Sequence, residues 1–143
     1  MNISEHFTLE EMIFSQTAAR RGIDSTPGDF EIVNLRQLCR SVLEPIRAHF
    51  GKPVRVSSGY RSLQLNRAIG GSKTSQHCYG QAADISIAGV DNLDLAKWIR
   101  DNLYFDQVIM EGTWVHVSFS SRDRRQALTA HFSKGRVTYT EGL

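Results

Sequence analysis

Two of the chain's five histidines keep company that suits metal chemistry. His77 lies in the run Ser75-Gln-His-Cys-Tyr-Gly-Gln-Ala-Ala-Asp84, and His116 in Trp114-Val-His-Val-Ser118. Two imidazoles and a carboxylate, with one position left open, are what a catalytic Zn²⁺ requires. His77, Asp84 and His116 supply that set if the segments carrying Asp84 and His116 lie side by side. Alternation allows it: His116 shares its face with Trp114 and Ser118, away from Val115 and Val117, and Asp84 alternates with Ala83 and Ile85. Gly80 lets the chain turn between His77 and Asp84. The plainer alternative is a structural histidine beside Trp114 with its hydrogen bonds satisfied. No Gly-rich phosphate loop, serine nucleophile elbow or dinucleotide fingerprint is present.

The elements that must position these residues are legible in outline. Thr8-Leu-Glu-Glu11 is a capping box that starts a short helix. Thr26-Pro27 predicts the start of a longer one, with apolar residues at Ile32, Leu35, Leu38, Cys39, Val42, Leu43, Ile46 and Phe50 before Gly51 ends it. Pro45 is expected to kink this helix. Val54–Ser57 alternates as a strand, and Ser62–Ile69 reads as a short helix stopped by Gly70-Gly71. Gln81–Ile87 reads as a strand. Asp91 or Asn92 caps an amphipathic helix bearing Leu95, Ala96, Trp98, Ile99 and Leu103. Phe105–Met110 and Trp114–Phe119 form a hairpin around Glu111-Gly-Thr113, and Leu128–Phe132 with Arg136–Thr140 forms another. Helices early and strands late predict an α+β fold, a central antiparallel sheet flanked by helices.

With 143 residues, 41% hydrophobic and 22% charged, the chain has the size and balance of one domain spanning 1–143, which excludes a charge-dominated disordered chain. A net charge of +2 gives only a weak pull towards polyanions, and no aromatic residues interleave the Arg20-Arg21 and Arg122–Arg125 clusters, so no nucleic-acid partner is expected. No apolar run reaches the roughly 20 residues of a membrane span. Cys39 and Cys78 make no disulfide framework. The start, MNISEHFTLEEM, lacks the pattern of a signal peptide, so the expectation is a product made in the cytoplasm.

The spacing Ser-x-His-x-x-Gly-x-Ala-x-Asp resembles the signature of the LAS-type zinc peptidases, the group of lysostaphin-like, D-Ala-D-Ala-cleaving and hedgehog-like domains. Ser57-Ser-Gly-Tyr-Arg61-Ser, Leu65-Asn66, Gly70-Gly71, Phe105-Asp-Gln-Val-Ile109 and Trp114-Val-His-Val-Ser118 resemble the D-Ala-D-Ala carboxypeptidase branch, in its small phage- and prophage-borne form. So do Ser4-Glu-His-Phe-Thr8, Ser15-Gln-Thr17 and Glu44-Pro45. The resemblance covers roughly the first 120 residues, with the motifs in the expected order.

It implies Zn²⁺ held by His77, Asp84 and His116, which lowers the pKa of water towards ~7 and polarises the scissile carbonyl. It implies that Arg61 pairs with a substrate carboxylate or the polarised oxygen. Ser75 and Gln81 either bind substrate or orient ligands. The usual general base, a Glu three residues before the last ligand or a His two before it, is replaced here by Thr113 and Trp114. Glu111 is the nearest carboxylate and the expected base and acid. Trp114 is either a wall of the groove or a core residue; His6, His49 and His131 have no partner at ligand spacing.

The expected activity is zinc metallopeptidase hydrolysis of peptidoglycan stem peptides, as a D-Ala-D-Ala carboxypeptidase or an endolysin-type endopeptidase. A zinc-containing wall-binding module without turnover is the alternative. A monomer is expected, acting at the cell wall after release by another protein or as part of a virion. The stretch 122–143 carries no family resemblance.

Overall fold

The computed structural model describes all 143 residues. Helices α1 (Leu9–Ile13), α2 (Gln16–Arg21), α3 (Asp29–Leu38), α4 (Glu44–Phe50), α5 (Leu63–Ala68) and α6 (Asn92–Asn102) accompany strands β1 (Arg55–Ser58), β2 (Ala82–Ser86), β3 (Gln107–Met110), β4 (Val115–Ser118), β5 (Gln126–Ser133) and β6 (Arg136–Glu141). The strands form one sheet in the order β1-β2-β4-β3-β5-β6. The fold is α+β as expected. The sheet departs from all-antiparallel at one place, where β5 runs parallel to β3. That pairing follows from the chain's return after β4: it crosses to the far side of β3 before turning into the β5–β6 hairpin.

One face of the sheet is the core. Ala83, Ile85, Val108, Val115 and Val117 point into a cluster with Leu35, Leu38, Val42, Leu43 and Ile46 from the long helix and Leu95, Ala96 and Ile99 from α6. The capping box at Thr8 forms, with Glu11 N–H donating to Thr8 Oγ1 and Thr8 N–H to Glu11 Oε1. Asp91 caps α6.

The long helix differs from expectation twice. Its N-cap is Gly28 rather than Thr26, whose side chain is occupied by Asp24. Just before Pro45 it passes through a π-turn over Cys39–Leu43, and it resumes at Glu44 with Pro45 in the first turn of the new segment, where the missing N–H is tolerated. Cys39 lies inside this turn, its thiol pushed up to about 12 by burial. Helix α2, capped by Ser15, is too short to show helical periodicity in the sequence.

Of the three histidines expected to have no partner at ligand spacing, His49 and His131 fall in no ligand group, whereas His6 does. His49 stacks on Trp98 at 4.3 Å, and His131 Nε2 lies 2.8 Å from Thr140 Oγ1. His6 Nδ1 lies 2.7 Å from Glu44 Oε1, and Glu5 stands close enough to complete a possible ligand group. Glu44, however, is already engaged: its Oε2 accepts from Ser4 Oγ and from His6 N–H, which ties the N-terminal loop to α4.

Candidate metal centre

Strands β2 and β4 are antiparallel neighbours in the register that sets Asp84 opposite His116. Both side chains therefore leave the sheet on the face opposite the core. His77 reaches the same spot from a short 3₁₀ turn, Gln76–Tyr79, which Ser75 caps by accepting from His77 N–H at 3.2 Å. Gly80 ends that turn in the left-handed region (φ 72°), and a Cβ there would stand 2.5 Å from the Glu31 carbonyl oxygen. Asn34 Nδ2–H also donates to the Tyr79 carbonyl, so helix α3 holds the turn in place.

The three side chains meet at hydrogen-bonding distance. His116 Nδ1 is 3.1 Å and His77 Nε2 is 3.3 Å from Asp84 Oδ1, and all three donor atoms lie within 4.8 Å of one another. Donors around a tetrahedral Zn²⁺ at roughly 2.0–2.1 Å stand roughly 3.3 Å apart, so this spacing fits such an ion.

Protonation fits as well. His77 Nδ1 lies 2.7 Å from the Gly59 carbonyl oxygen. A carbonyl only accepts, so Nδ1 carries the proton and Nε2 keeps its lone pair for the centre. Burial lowers the His77 pKa, with His116 and Arg61 acting the same way, and keeps the ring neutral. Burial alone would raise the Asp84 carboxyl, but its close contacts with the His116 and His77 rings override it and hold the group below the usual carboxylate range.

Two further groups face this cluster. Glu111 follows β3 and is half-buried, and its N–H donates to the Trp114 carbonyl across the hairpin turn. Burial and the Asp84 charge raise its pKa, against the pull of His116 and Arg61. The Trp114 indole N–H, although near Glu111, is buried and closes no hydrogen bond. Arg61 N–H donates to the His77 carbonyl, and its Nη1 to Asn66 Oδ1 at 3.1 Å. Its Nε is buried without a partner, while its field reaches Asp84 and Glu111. Arg61 also lines a cavity of about 510 Å³ with Arg20, Arg55, Tyr60 and Ser57, and no acidic residue lines it.

Of the other residues singled out from sequence, Ser75 sits on the His77 turn and Gln81 immediately before β2. Gln81 works through its backbone, donating to Gln76 O and accepting from Phe119 N–H.

Sequence reasoning missed Asp106. Fully buried, it accepts from Gln76 Nε2, Ser120 Oγ and the backbone and guanidinium of Arg124, all between 2.8 and 3.0 Å. Burial would raise its carboxyl, but these donors hold it well below the usual range. Gln76 adjoins His77, so the network fastens the ligand-bearing turn to the segment after β4. An acid before a strand reads as a turn residue, and nothing local in the sequence pairs it with Arg124.

A family model described as Peptidase M15 matches residues 5–118. The zinc D-Ala-D-Ala carboxypeptidase of Streptomyces albus G is 36% identical over 61 residues, which is 42% of this chain and 24% of that relative. The match thus spans about a quarter of the curated relative's length.

Proposed function

The chain belongs to the peptidase M15 family, and from that premise we propose that it is a zinc metallopeptidase hydrolysing a peptide bond in peptidoglycan stem peptides. The observation that carries this reading is the convergence of His77, Asp84 and His116 with the half-buried Glu111 and the unpartnered Nε of Arg61. The name of the Streptomyces relative supports both the metal and the substrate class.

His77 through Nε2, Asp84 through Oδ1 and His116 through Nδ1 would hold the ion. When bound, Zn²⁺ supplies Lewis-acid chemistry, activating water and polarising the scissile carbonyl. Glu111 takes a proton from the attacking water as its oxygen bonds to the carbonyl carbon. The same carboxyl then delivers that proton to the leaving nitrogen as the C–N bond breaks. A carboxyl raised by burial suits both halves of the task, because its proton affinity moves towards the working pH. Arg61 supplies the counter-charge for the substrate carboxylate or the developing oxyanion.

Carboxypeptidase action is favoured over endopeptidase action by the cavity at Arg61. Three arginines and no acid line it, as a terminal carboxylate requires. The place of action is then the cell wall, reached as the product of a phage or prophage, with the stem peptide as the partner of a monomer.

Elemental analysis of the wild type and of His116→Ala, without added metal, tests the centre. The expected result is about one zinc per chain, lost in the variant. A folded wild type that holds none and takes up none on titration overturns the reading. Release of D-Ala from an N-acyl-D-Ala-D-Ala peptide identifies the carboxypeptidase; cleavage only within longer fragments identifies the endopeptidase. Zinc-loaded protein that binds wall fragments and cleaves none indicates instead a binding module of the same fold, the reading favoured by Thr113 and Trp114 at the usual base positions.

A further inference from the structure

The face of the sheet that carries the metal cluster does not stop at β4. The register runs Asp84, His116, Ile109, Leu128, Glu141 straight across five strands. Residues opposite one another share a face, and the neighbouring row of Ala83, Val117, Val108 and Ala127 is the one that meets the core. Ala130 and Phe132 therefore leave β5 on the same side as His116. Across the hairpin they stand opposite Tyr139 and Val137. Continuing the β3–β5 register by one residue sets Glu111 level with Ala130. Glu111 and Tyr139 thus flank a side chain of one methyl, and the Tyr139 hydroxyl, raised first by burial, also feels the Glu111 charge.

This hairpin lies outside the family match, which ends at residue 118. Its site-facing side chains are uncovered: Phe132 is 61% exposed, Val137 44% and Tyr139 50%. No charged residue interrupts them on that face before Glu141. The opposite flank of the centre, beyond β1, carries Arg20, Arg55 and Arg61. The two flanks are therefore chemically unlike, cationic on one side and aromatic and neutral on the other. The Arg124–Asp106 network fixes the chain at the foot of β5, so the strip is held ready rather than hinged.

We propose that the strip Phe132–Val137–Tyr139 seats the uncharged, sugar-bearing end of the substrate whose carboxylate end lies towards Arg61. This rests on the peptidase reading above and adds an orientation to it. Exposed aromatic faces suit the C–H face of a sugar ring, whereas the charged part of a stem peptide meets its complement at the arginines.

Two substrates test the proposal: an N-acyl peptide ending in D-Ala-D-Ala, and the same peptide joined to N-acetylmuramic acid. Wild type should favour the sugar-bearing peptide by about tenfold in kcat/KM, chiefly through KM. In Phe132→Ala/Tyr139→Ala the ratio should fall to about one, whereas Thr138→Ala, on the other face of β6, should keep it. Equal rates in the wild type, or a ratio that survives the double substitution, overturn the proposal. If wild type cleaves neither peptide, the carboxypeptidase reading falls, and retention on insoluble peptidoglycan decides the strip separately. Weaker retention of the double variant supports it, and equal retention overturns it.

Discussion

His77 Nδ1–H donates a hydrogen bond to the Gly59 carbonyl at 2.7 Å, and that carbonyl can be there only because residue 59 has no side chain. A Cβ at this position would lie 2.2 Å from the Met12 carbonyl oxygen, which also accepts from Tyr60 N–H. Gly59→Ala must therefore shift the loop that orients the ligand. We expect zinc affinity to fall about 10–100-fold, read by competition with a chromophoric chelator. Unchanged affinity would show that the Gly59 carbonyl does not set the ring.

Glu111→Gln keeps the shape of the side chain and removes its proton chemistry. The expected loss in kcat is about 10²–10⁴-fold, with zinc content unchanged. A variant as active as wild type would move the role of base to another group and leave the metal centre standing.

Arg61→Lys keeps a positive charge and loses the planar fork. On a peptide with a free terminal carboxylate, kcat/KM should fall about 10–100-fold, and much less on the corresponding C-terminal amide. Equal losses on both peptides would assign Arg61 to the reacting carbonyl rather than to the carboxylate.

Asp106 makes a prediction about acid. Its folded pKa lies below its unfolded value of roughly 3.9, so its contribution is fully present above that pH and is lost as the pH falls through the folded value. At neutral pH Asp106→Ala should cost about 3 kcal/mol, because it leaves the Arg124 charge and the Gln76 amide without their acceptor. Denaturant titrations should show the gap between wild type and variant closing below about pH 4. A gap that stays constant into acid would mean that the pair does not control stability.

The site was more legible than the frame around it. The alternation of Asp84 and His116 with apolar neighbours is a local signal, and the strand register obeys it. The capping residues of α1 and α6 are equally local. What escaped depends on residues far apart in the chain. The parallel pairing of β5 with β3 is one case, Arg124 closing on Asp106 another, and Tyr139 arriving beside Glu111 a third. The long helix shows the same limit, since its apolar positions keep close to helical period straight through Cys39–Leu43 and give no sign of the π-turn there.

That π-turn has a consequence. Each residue of an α-helix advances the side chains by about 100°, so a wider π-turn in mid-helix puts the two halves out of phase. Before Cys39 the helix presents Glu31, Asn34 and Leu35 to the turn that carries His77. After Leu43 it presents Glu44 to Ser4 and His6. A single rod is thus keyed to two separate loops, and a one-residue deletion within Cys39–Leu43 would unlock one of them without breaking the helix.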